Sequence, residues 1–137
     1  MIGSAAMALH GAVLQVGDMD LLMSRNDAAR LLENARVPAA GSAHDKFRSD
    51  VFGQFRCGDY TVEVMGGFYV CDGAEWREVM PRSRTAFRVG GAELFAPSVE
   101  ELIEMCRLFG RPKDAEREQL LRALKPSRPG EDLSQAR

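Results

Sequence analysis

The alternation of apolar and polar positions divides the chain into short, well-punctuated elements. The stretch from Gly3 to Gly11 is rich in small residues and predicts a short helix after Ser4, for which Ser4 is the candidate N-cap. Asp18 to Met23 reads as a strand, and Asn26 is a good N-cap for a helix whose Ala28, Leu31, Leu32 and Ala35 share one face before Pro38 stops it. Residues 37–43 read as a loop. Strands are predicted at Ser49–Arg56, Tyr60–Met65 and Gly67–Cys71, divided by turn signals at Gly58-Asp59 and Gly66-Gly67, and a further hairpin joins Thr85–Val89 to Ala92–Phe95 around Gly90-Gly91. Ser98 and Glu101 form a capping-box pattern before a helix with Leu102, Ile103, Cys106 and Phe109 on one face. Gly110 ends that helix, and a last one runs from Pro112 to about Leu124 with Leu120, Leu121 and Leu124 inward. These elements describe an α+β domain over 1–125, with a mixed, mainly antiparallel sheet flanked by helices and two helices at the C-terminal end. Residues 126–137 lack apolar periodicity and read as a disordered tail.

The candidate chemistry begins at Asp18 and Asp20. Side chains two apart on a strand share a face, so both carboxylates project together while Met19 and Leu21 point the other way. Clustered carboxylates repel unless a cation lies between them. Hard ions such as Mg²⁺ take oxygen ligands and keep positions for water and substrate phosphates. Gly3 and Ser4, at a turn into a helix, can offer backbone N–H groups to a phosphate. His10 reads as a packed or capping residue of the Leu-His-Gly turn rather than as a base.

The order Gly3-Ser4, thirteen intervening residues, then Asp18-x-Asp20 resembles the polymerase-β-like nucleotidyltransferase superfamily. The Gly-Ser-x-x-x-Ala-Leu-His-Gly wording and the later Arg111-Pro112-Lys113-Asp114 are nearest the small bacterial nucleotidyltransferases of toxin–antitoxin and abortive-infection systems. The resemblance implies a third acid on a later strand. Glu63 fits best, because Tyr60, Val62 and Val64 alternate with Thr61, Glu63 and Met65; Asp50, Asp59 and Asp72 are rivals, the last two beside glycines in turns. It further implies two Mg²⁺ ions held by Asp18, Asp20 and Glu63, with Gly3, Ser4 and Lys113 toward the nucleotide. The expected reaction moves a nucleoside monophosphate from a nucleoside triphosphate (NTP) to an acceptor hydroxyl on a protein, a tRNA or a small molecule. The acid that the family often carries three residues beyond the Lys-Asp pair is replaced here by Arg117.

Composition narrows the picture modestly. Eighteen basic and twenty acidic residues give a net charge of −2, so no basic surface advertises nucleic acid as partner. No apolar run is long enough to cross a bilayer and no signal-peptide pattern opens the chain, which together predict a cytoplasmic protein without a membrane partner. Cys57, Cys71 and Cys106 lack metal-ligand spacing and read as reduced, mostly buried thiols.

One departure from the resemblance bears on partners. The family normally has a helix and most of a strand before the Gly-Ser turn, where Met1-Ile2 supplies only a stub, so the strand at Asp18–Met23 is expected to leave an open edge. A homodimer or a partner protein would complete it. The alternative function is therefore a non-catalytic interaction protein of the same fold, an antitoxin-like partner.

Overall fold

The computed structural model describes residues 1–124; the tail expected at 126–137 lies outside them. The elements in chain order are α1 (Gly3–Leu9), β1 (Asp18–Met23), α2 (Arg25–Asn34), β2 (Ala40–Ala43), β3 (Phe47–Cys57), β4 (Tyr60–Asp72), β5 (Glu75–Glu78), β6 (Thr85–Val89), β7 (Ala92–Ala96), α3 (Val99–Phe109) and α4 (Pro112–Arg122). They fall into two compact units, Gly17–Met80 and the combination of Met1–Val16 with the chain from Pro81 onward.

The Gly17–Met80 unit is a five-stranded sheet in the order β1-β4-β3-β2, with β5 also on β4. β1 runs parallel to β4, and every other pairing is antiparallel, as expected of a mixed, mainly antiparallel sheet. β4 is thirteen residues long and carries two short partners on one edge: β1 along its first half and β5 along its end. α2 lies on one face. Its Ala28 and Leu32 are fully buried against Val62 and Val64 of β4, with Met19, Leu21 and Met23 of β1 and Val51 and Phe55 of β3 around them. Burying a large aliphatic side chain of this kind contributes about 1.5–3 kcal/mol, so this seam fixes which face each strand presents.

The expected Gly66-Gly67 turn does not exist; β4 runs straight through it. Gly66 is there because α2 comes close: a Cβ on it would stand 2.9 Å from both Ala28 Cβ and Arg25 Cα. Gly67 has φ 62°, and a Cβ on it would press on Arg25 Nε at 2.6 Å and Asp50 Oδ2 at 2.7 Å, two groups that bond each other at 2.8 Å. The ladder to β3 keeps its register across this point. The facing shifts, however: even-numbered Val62 and Val64 meet α2 before Gly67, and odd-numbered Tyr69 meets Arg25 of α2 after it.

Three further expectations are corrected here. The N-cap of α2 is Ser24, whose side chain accepts from the Asp27 N–H at 3.1 Å, and not Asn26. Part of the expected loop at 37–43 is β2, and β5 follows the Asp72-Gly73 turn where no strand was expected. Both are four-residue strands with mostly exposed side chains, so neither carries the alternation that marks a half-buried strand.

In the other unit, α1 starts without a side-chain cap. Ile2 holds the N-cap position, and Ser4 is buried within the first turn instead of capping it. β6 and β7 form the expected hairpin, and Gly90 and Gly91 both take positive φ, 57° and 82°, as a two-residue turn of matching twist requires. His10 is a packed residue: its Nε2 lies 2.7 Å from the Pro97 carbonyl and its ring meets Phe87 edge-on. Ser98 caps α3 by accepting from the Glu101 N–H, but the Glu101 carboxylate does not close the box; it accepts from the Arg82 and Ser83 N–H groups at 2.7 and 2.9 Å and from the Ser83 hydroxyl. Burial works to raise Glu101's pKa, and these bonds together with the Arg82 charge outweigh it, holding the carboxyl below its ordinary range. Gly110 at φ 64° ends α3, and Pro112 opens α4. Of the leucines expected inward on α4, Leu121 is buried, Leu124 is half-buried and Leu120 is exposed. Among the cysteines only Cys106 is buried, with its thiol pushed up to about 11 mainly by that burial; Cys57 is exposed and Cys71 half-buried.

Candidate functional site

The seam against α2 decides what faces away from it. Met19, Leu21 and Met23 turn toward the helix, so Asp18 and Asp20 turn to the opposite face; Val62 and Val64 do the same for Thr61 and Glu63. The parallel register then sets Asp18 beside Thr61 and Asp20 beside Glu63. Asp18 is exposed and the other two acids are half-buried. All three expected acids thus share one face of one sheet.

Their electrostatics show the proximity. Glu63 is raised from 4.5 to about 7, first by burial, then by the Asp20 charge and a hydrogen bond with Asp20, and last by the Asp18 charge. Glu63 therefore keeps its proton to a higher pH than an ordinary carboxyl. Among the described residues no group of three or more histidine, cysteine, aspartate or glutamate side chains is drawn together as a ready metal cage. The donor set nevertheless suits a hard divalent ion, being all oxygen, anionic and self-repelling; a cation would relieve that repulsion.

Two of the three rival acids are paired elsewhere. Asp50 bonds Arg25, whose other nitrogens reach the Tyr69 hydroxyl at 2.8 Å and Glu78 at 3.4 Å, and Asp72 pairs with Arg77. Asp59 lies in the turn between β3 and β4.

The expected nucleotide residues belong to the other unit. Gly3 opens α1 with φ 70°, followed by the buried Ser4. Lys113 is exposed on the first turn of α4, beside an Asp114 that is only 2 % exposed. Asp114 is clamped by Arg111 through Nε at 2.7 Å, Nη2 at 3.0 Å and the backbone N–H at 3.0 Å. The Arg111-Pro112-Lys113-Asp114 segment thus commits its arginine and aspartate to each other as a helix start.

Sequence reasoning did not bring in Gln54 or Arg56, which share the acid face. The alternation of β3 carried the signal for their facing, but only the register shows which strands set them beside the acids.

No protein-family model matches the chain, and no curated protein matches it. Among solved structures, it is similar to a Thermotoga maritima protein provisionally assigned as a nucleotidyltransferase, with a TM-score of 0.68 and 22% identity over 86% of this chain and 77% of that one. The two share an α+β fold.

Proposed function

We propose that the protein is a Mg²⁺-dependent nucleotidyltransferase that moves a nucleoside monophosphate from an NTP to an acceptor hydroxyl. The observation that carries this reading is the register pairing of Asp20 with Glu63, with Asp18 on the same face. These three would hold the two ions. When bound, divalent ions neutralise charge on the triphosphate and stabilise the attacking and leaving oxygens. On the family resemblance, the backbone amides of Gly3 and Ser4 position the triphosphate and Lys113 contacts its phosphates. A protein side chain, a tRNA end and a small hydroxylated compound are the acceptor classes proposed, and the cytoplasm is the proposed location. Among the described residues no helix is long and apolar enough to cross a membrane.

A second reading, a binding module of the same fold that pairs with a copy of itself or with another protein, draws on β1 standing at the end of the sheet order. Three acids kept in mutual repulsion weigh against it, since that repulsion costs stability and serves nothing in a module that only binds. Calorimetric titration with each NTP in Mg²⁺, on the wild type and Asp20→Asn, tests the first reading. Binding in the wild type that is lost in the variant supports it, and absence of any metal-dependent binding sinks it. Transfer of labelled nucleotide into cell extract then finds the acceptor.

A further inference from the structure

β3 extends the acid face by one more strand. A Cβ on Gly53 would strike Leu32 of α2, and Phe55 packs on the same cluster, so Gln54 and Arg56 project to the opposite side with the acids. Register aligns them in two rows across three strands, Asp20-Glu63-Gln54 and Asp18-Thr61-Arg56. With neighbouring strands about 4.8 Å apart, the Arg56 backbone lies about 10 Å from that of Asp18, within reach of anything bound over Thr61.

The other arginines of this sheet are occupied: Arg48 of β3 stacks on Tyr69 and Trp76, and Arg77 of β5 pairs with Asp72. Arg56 is exposed and makes no ion pair among the described residues, although three carboxylates share its face. The face is polarised, with carboxylates on β1 and β4 and the Arg56 guanidinium on β3. Guanidinium groups bind phosphate oxygens in a bidentate fork, and a side-chain amide beside one adds a donor.

We infer that Arg56 and Gln54 form a phosphate-binding subsite beside the acids. The inference rests on the nucleotidyl-transfer reading. The phosphate belongs either to the triphosphate or to an acceptor that carries one.

The test titrates the full chain, as wild type, Asp20→Asn, Arg56→Gln and Arg56→Lys, with an NTP in Mg²⁺ and then with a short single-stranded RNA ending in a 3′-hydroxyl. Loss of a charged hydrogen-bond donor is expected to weaken the phosphate-bearing ligand on the order of tenfold, with partial rescue by lysine and an unchanged melting temperature. Weaker triphosphate binding in Arg56→Gln assigns the subsite to the donor; unchanged triphosphate but weaker RNA binding assigns it to the acceptor. Full retention of both ligands in Arg56→Gln, with loss in Asp20→Asn, overturns the subsite alone. A wild type that binds no triphosphate in Mg²⁺ overturns the transfer reading and the subsite with it.

Discussion

Asp20 and Glu63 stand side by side on the parallel strands β1 and β4, and burial together with the charge and hydrogen bond of Asp20 raises the Glu63 carboxyl to about 7. The folded chain holds a proton on Glu63 up to about pH 7, whereas the unfolded chain releases it near 4.5. This contribution to stability is complete below the lower value and is lost as pH rises through the upper one. Glu63→Gln should therefore melt higher than the wild type at pH 8, by about 1 kcal/mol after allowance for solvent screening, and should match it near pH 4.5. Melting temperatures across that range decide it; a constant offset between the two proteins would refute the coupling.

Removing the neighbouring charge should move the same titration. In Asp20→Asn, Glu63 loses a larger share of its upward shift than in Asp18→Asn, because Asp20 contributes both a charge and a hydrogen bond. Carboxyl resonances followed by NMR against pH would show the ordering, and a larger effect from Asp18 would contradict the register.

Gly53→Ala probes the seam that turns the acids outward. Its Cβ would come within 2.3 Å of Leu32 Cδ2, and Leu32 is fully buried. Overpacking of this kind typically costs about 1–3 kcal/mol, so denaturant unfolding should show a clear loss. A neutral result would mean that α2 shifts freely on the sheet.

The Arg111–Asp114 clamp separates structure from chemistry at the start of α4. Arg111→Ala leaves a buried carboxylate short of its partner and should destabilise the protein by about 3 kcal/mol, while Lys113→Ala should leave stability unchanged. Thermal unfolding of the two variants side by side is sufficient to check this.

Much of this arrangement was legible in the residues. The shared face of Asp18 and Asp20 follows from their spacing of two on a strand, and Gly90-Gly91 and Gly110 mark their turn and helix end because only glycine takes those angles cheaply. Gly66-Gly67 misled because a glycine needed for close approach of a helix looks, in one dimension, like a glycine needed for a turn. Ser24 and Asn26 are both good caps two residues apart, and packing of Ala28 and Leu32 on the sheet chooses between them. The pairing of Asp20 with Glu63 is a matter of register between distant segments, on which local pattern is silent.

The way β4 is built also orders its assembly. β3 and β4 meet across the two-residue turn at Gly58 and Asp59, a local closure of the fast kind, whereas Asp20 and Glu63 are 43 positions apart and meet only when a long loop closes. A chain that has zipped only this hairpin carries Glu63 as an ordinary carboxylate. Proton uptake then reports the burial of Glu63 together with the arrival of Asp20 on β1, and a pH indicator in weakly buffered refolding near pH 6 would time that step.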